Sequence, residues 1–211
     1  MAIEKMVGNG KKGRQYRVCA AYDTETTNLG TGENTRAYPI LFIVNDIRFV
    51  DLTQYDTARD MDDIRYYRHT SEMLDYVAEL INWGRSNDIV PVIAAYNLMF
   101  DLQPLMYLLS RSYKMAVNAQ TSTSAYTVDL LDDKGKVALR FWDTFYLEMS
   151  GLRAMGETCG LPKAVGDWDY SLVRTPETPL TDTELFYAGR DTQVIPAYLA
   201  YPVSYTHLRA H

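Results

Sequence analysis

Residues 20–30 read AAYDTETTNLG and follow a short apolar run, "RVCAAY". If the run is a strand, Asp23 and Glu25 lie two residues apart and share one face. Two like charges side by side repel unless a positive group sits between them. Such a strand end is either an ordinary exposed turn or one wall of a metal site. The spacing alone leaves both open.

The rest of the chain supplies the frame. "YPILFIVNDIRFVDLT" has two apolar bursts around Asn45–Asp46, the pattern of a hairpin. "DMDDIRYYRHTSEMLDYVAELINWGRSN" is charged first and then helical. Its Met73, Leu74, Val77, Leu80 and Ile81 share a face, with Ser71 as the expected N-cap. "DIVPVIAAYN" reads as a buried strand and "LMFDLQPLMYLLSRSY" as a helix despite Pro104. A second hairpin, "AYTVDLLDDKGKVALRFWDT", turns at Asp133-Lys134-Gly135. A short helix ends at Gly160, and "TDTELFYAGRDTQVIPAYLAY" closes the set as a helix. Strands alternating with helices, with hairpins early, predict an α/β domain: a mixed sheet flanked by helices.

Composition narrows the classes. Hydrophobic residues make up 47% and charged residues 23% of 211, a normal globular balance. No apolar run approaches the roughly 20 residues of a membrane span, and the N-terminus lacks a signal-peptide core. With only Cys19 and Cys159, a reducing cytoplasm is the expected setting and both thiols are expected in the core. The net charge of −6 offers no general basic field for coating DNA. Residues 1–15 are expected to form a flexible basic arm around Lys5, Lys11, Lys12 and Arg14, with Arg17 just beyond. Residues 16–202 form one domain. The last nine, 203–211, resemble a translated sequencing adapter, so the natural chain is expected to stop near Pro202. That tail holds His207 and His211, which leaves His69 alone. Histidine-ligated zinc and Ser-His-Asp chemistry have almost no material.

Three separated patterns then combine. They are Asp23-x-Glu25 on a strand end, Asn97-x-x-x-Asp101 where a strand enters a helix, and Tyr187-x-x-x-Asp191 within a helix. Residues four apart on a helix project together, and sites in open sheets gather beyond the strand ends. Four acids in one cleft need cations, and hard oxygen ligands suit magnesium or manganese. Two such ions can drive phosphodiester hydrolysis, with the Tyr187 hydroxyl orienting the water.

In this combination the chain resembles the DEDD exonucleases of the tyrosine-bearing subgroup, which have a ribonuclease H-like fold. Phe186 stands where the histidine-bearing subgroup would have its histidine. "GDWDYSLVRTPETPLTDTELFYAGRD" is similar to the segment before the third motif in family B DNA polymerases of the protein-primed type. The resemblance implies an N-terminal proofreading domain that hydrolyses the 3′ end of single-stranded DNA or of a primer-template, cut short before its polymerase region. That region would bring the terminal protein primer as a further partner. It implies two divalent ions on Asp23, Glu25, Asp101 and Asp191, and catalytic roles for these four and Tyr187. Thr26, Asn97, Phe100 and Tyr170 would contact DNA. The family carries a catalytic lysine where this chain has Val165, and Lys163 is the nearest replacement. An RNase D-like exoribonuclease and a non-catalytic single-strand-binding fold are the competing readings. Four retained acids argue against the latter.

Overall fold

The computed structural model describes residues 14–30, 33, 35–52, 63–121, 123–147, 149–162, 164 and 168–201. Lys5, Lys11, Lys12, Lys163 and residues 203–211 lie outside them. Arg14 donates to the Val137 carbonyl oxygen at 2.8 Å. Gln15, read as the end of the arm, already opens the first strand, and Arg17 lies within it.

That strand, β1 (Gln15–Leu29), sits in the middle of a seven-stranded sheet. The others are β2 (Arg36–Asp46), β3 (Ile64–Tyr67), β4 (Ile89–Ala95), β5 (Lys114–Thr121), β6 (Ser124–Leu131) and β7 (Val137–Asp143), in the order β3-β2-β1-β4-β7-β6-β5. The central pairs β1–β4 and β4–β7 are parallel and the outer ones antiparallel. From β1 the chain leaves toward β2, and from β4 toward the other side. The crevice past their C-terminal ends is therefore a switch point.

Among the described residues four α-helices cover the sheet. Helices α1 (Thr70–Ser86) and α2 (Leu98–Ser112) pack on one face against Tyr22, Phe42, Ile93 and Phe141. Helix α4 (Asp182–Ala200) covers the other face, packing Ile195 and Leu199 on Val18, Ala21 and Val92, while α3 (Leu152–Thr158) leans on α4. The fold is α/β and ribonuclease H-like, a mixed sheet with helices on both faces. Among the described residues no helix is long and apolar enough to cross a membrane.

Two irregularities aim the centre of the sheet. At Cys19 the pairing of β1 with β4 slips by one residue, so Cys19 and Ala20 both face α1 and α2. Beyond it, Ala20, Tyr22 and Thr24 face one way and Ala21, Asp23 and Glu25 the other. The β1–β2 register slips again between Glu25 and Thr26, leaving Ile40 as the extra residue. Arg68 donates to the Ile40 carbonyl oxygen at 3.1 Å. A bulge there bends the strand end where the acids sit.

Several local expectations need correcting. Asn45–Asp46 is no hairpin turn: both residues belong to β2, and the chain turns at Arg48–Phe49. The buried Asp46 stays in the strand because Arg48, two residues on, bonds its carboxylate at 2.7 Å. Helix α1 is capped from His69 and not Ser71, since the Glu72 carboxylate accepts the backbone N–H groups of His69 and Arg68 at 2.8 and 2.9 Å. Cys19 is fully buried as expected, but Cys159 is only partly so.

Candidate active site

The four acids are delivered by three elements. Asp23 and Glu25 come from the alternation of β1 on the α4 side. Glu25 is buried and Asp23 partly so. Asp101 lies in the first turn of α2, whose start is set from two directions. Tyr22 donates to the Asp101 carbonyl oxygen at 2.9 Å and accepts from Thr24 at 2.6 Å, tying the turn to β1. From the end of β7, the Asp143 carboxylate accepts the N–H groups of Asn97, Leu98 and Phe145 at 3.1, 3.1 and 2.9 Å. Asp143 thus caps α2 from the neighbouring strand, the work that Asn97 does not do with its own side chain. Asn97 instead takes a left-handed conformation, φ 60° and ψ 51°, which asparagine tolerates, and stays exposed. Asp191 arrives on α4, whose start is fixed by Thr181 accepting from the Glu184 N–H at 3.2 Å.

The result is a cleft of 490 Å³ lined by Asp23, Glu25, Asp101 and Asp191 together with Thr26, Asn97, Phe100 and Tyr170. The sequence reading placed these eight residues at the site, and the structure brings all eight to one cavity. Phe100 is half exposed, 51%, and so is not a core residue of α2. Tyr96 and Arg153 also line the cleft. Nothing in the local sequence marks Arg153, and Tyr96 read only as the end of a strand.

Tyr187 is the exception. It is buried behind the wall and not among the residues lining the cleft, with its ring stacked on Trp168 at 6.4 Å and 24°. It reaches the cleft through Tyr170, which lies beside its hydroxyl. Of the two tyrosines, Tyr170 lines the cleft, with Tyr187 in contact with it from behind. Partial burial, then the contact with Tyr187, then the charges of Glu25 and Asp23 push the Tyr170 phenol up from a value at which it is already protonated at neutral pH.

Electrostatics mark Asp101 as the stressed member. Burial, and next the charge of Asp23, push its carboxyl well above the ordinary aspartate range, against the Thr24 backbone N–H that favours the anion. The side chains of Asp23 and Asp101 are also in hydrogen-bonding contact. Among the described residues no three His, Cys, Asp or Glu side chains form a group that could hold a metal ion as they stand. In donor chemistry the cleft still fits a hard divalent ion: it offers acidic, amide and hydroxyl oxygens and no His or Cys. The contact between Asp23 and Asp101 lies where a cation's charge would offset both acids.

No protein-family model and no curated protein matches the chain. Solved structures do. Phi29 DNA polymerase complexed with primer-template DNA and incoming nucleotides superposes with a TM-score of 0.63 over 89% of this chain, at 17% identity. The same polymerase complexed with single-stranded DNA gives 0.59 over 86%, at 16% identity. The chain spans about 30% of the length of those polymerases. At this identity the likeness shows a shared fold.

Proposed function

We propose that the domain is a metal-dependent 3′→5′ exonuclease of the kind that proofreads for a protein-primed, family B DNA polymerase. The observation that carries this reading is the convergence of Asp23, Glu25, Asp101 and Asp191, from three separate elements, on one open cleft that also presents Asn97 and Phe100. A structural role would neutralise such acids with arginines, as Asp46 and Asp129 are neutralised here. The strongest neighbours of Asp101 are instead other acids. That the fold neighbours are described with primer-template and single-stranded DNA supports a DNA strand as substrate.

Asp23, Glu25, Asp101 and Asp191 would hold two divalent ions, magnesium or manganese, which when bound neutralise the acids and lower the pKa of a water. Loading the cleft requires the contact between Asp23 and Asp101 to open. Phe100 offers a half-exposed ring on which the terminal base can pack whatever its identity. The exposed Asn97 amide can both donate to and accept from the sugar-phosphate end. Arg153, 71% exposed at its side chain, adds a cation at the rim for a phosphate. Tyr170, held protonated and backed by Tyr187, donates a hydrogen bond to the attacking water or to a phosphoryl oxygen. The water oxygen bonds to phosphorus, the bond from phosphorus to the 3′ oxygen breaks, and the water's proton ends on that oxygen. The products are a nucleoside 5′-monophosphate and a strand one nucleotide shorter.

The test is incubation of the chain with 5′-labelled single strands of DNA and of RNA in magnesium, manganese or EDTA. The expected result is stepwise shortening of DNA from its 3′ end, abolished by EDTA. Internal cuts, metal-independent cleavage or a preference for RNA would overturn the proposal, the last in favour of an exoribonuclease.

A further inference from the structure

Arg174 lies outside the cleft, yet its side chain is only 5% exposed. Taking a guanidinium out of water costs several kcal/mol unless its partners are well placed. Here one residue joins three pieces of the chain, two of them through its planar guanidinium. It donates to the Asp169 carbonyl oxygen at 2.6 Å and to Glu184 of α4 at 2.6 Å. Its backbone N–H donates to the Thr27 hydroxyl, near the end of β1, at 3.1 Å. Its guanidinium carbon lies 4.7 Å above the centre of the Trp168 ring. The aromatic neighbours of that indole among the described residues are Tyr187, stacked on it, and Tyr170, 6.5 Å away and tilted, and the indole packs on the apolar cluster that holds Ile40 and Ile64.

Arg174 and Tyr187 are thus fixed partners of one indole. The tyrosine wall is held in register with the acids by a cation that never reaches the cleft. A hydrophobic plug would fill the same space but would fix neither the indole plane nor the loop carbonyls. We propose that Arg174, oriented by Glu184, is a positioning residue of the nuclease site, setting Tyr170 and Tyr187 against Glu25 and Asp23 through Trp168. This rests on the exonuclease reading for its catalytic consequence, but the clamp itself can be tested without it.

Arg174→Lys keeps the charge and loses the planar fork. In this variant kcat for release of the 3′ nucleotide falls about tenfold, within the roughly hundredfold that a 1 Å misplacement can cost. The KM for the strand stays within about twofold, since Phe100 and Asn97 are untouched. Glu184→Gln changes kcat in the same direction by less and covers the case in which Arg174→Lys does not fold. Tryptophan emission shifts in Arg174→Lys, and the shift disappears when Trp168→Phe is added. Unchanged kcat in both variants, a loss accounted for by unfolded protein, or an emission shift that survives Trp168→Phe would overturn the proposal. Wild-type protein that cleaves neither DNA nor RNA would refute the exonuclease reading, and the emission comparison would still decide the clamp.

Discussion

Asp101→Asn is expected to stop nucleotide release while making the cation-free protein more stable. Losing one of four ligands forfeits several kcal/mol of charge stabilisation. At 1.36 kcal/mol per tenfold, the rate should drop on the order of a thousandfold. The stability gain follows from the raised carboxyl of Asp101. An unfolded aspartate titrates near about 3.9. Above that value the folded state binds the extra proton, so folding loses stability as pH rises toward the folded pKa, and the full penalty stands beyond it. Asparagine has no such window and can still donate to Asp23. In EDTA the melting-temperature advantage of the variant should open above pH ~4 and widen toward neutrality, and saturating magnesium should shrink or reverse it. Thermal scans over pH, with and without magnesium, check this. An active variant, or one less stable than wild type at neutral pH in EDTA, would contradict it.

Arg48→Met should do the reverse, harming the fold and sparing the chemistry. Arg48 and Asp46 are each 5% exposed at their side chains and bonded at 2.7 Å. Arg48 also bonds the Glu79 carboxylate of α1, and its guanidinium lies 5.6 to 5.9 Å from the ring centres of Phe49, Tyr76 and Trp83. Breaking a buried pair from one side costs ~3–5 kcal/mol because the remaining charge is stranded. Arg65, at 3.1 Å from Asp46 but 41% exposed, offsets part of this. A loss near 3 kcal/mol corresponds to a melting temperature lower by roughly 6–12 °C in a domain of this size. The pair stands at the end of β2 that faces Ala20, away from the acid-bearing end of β1. The rate per folded molecule should therefore hold, and Asp46→Asn added to Arg48→Met should recover part of the loss. A variant melting within a degree or two of wild type would refute this account of the network.

What the sequence made legible were features that local chemistry enforces. The spacing of Asp23 and Glu25 survives because β1 has no bulge between them. The step from Asn97 to Asp101 survives because a strand must hand over to a helix there. Depth was not legible. Spacing by four puts Tyr187 and Asp191 on one helix face, but says nothing of Trp168, a loop residue that covers Tyr187 and leaves the cleft to Tyr170. Nor could the bond between Arg174 and Thr27, 147 residues apart, be read from either neighbourhood. Asp143 looked like the polar end of a hairpin because the N–H groups it caps lie 45 and 46 residues earlier. Strand β5 was missed for a different reason: it is an almost wholly exposed edge strand whose residues carry little apolar alternation. The apparent turn at Asn45–Asp46 failed because two polar residues in an apolar run look alike whether they meet water or a buried arginine.

The account turns on whether the acids of the cleft close around cations. Crystals of the chain soaked in manganese, with anomalous difference maps computed at the manganese edge, decide this directly. The expected result is density for one or two ions within coordinating distance of Asp23, Glu25, Asp101 and Asp191, with the contact between Asp23 and Asp101 opened. A cleft that stays free of manganese at saturating concentration, with those two carboxyls still in contact, would contradict it.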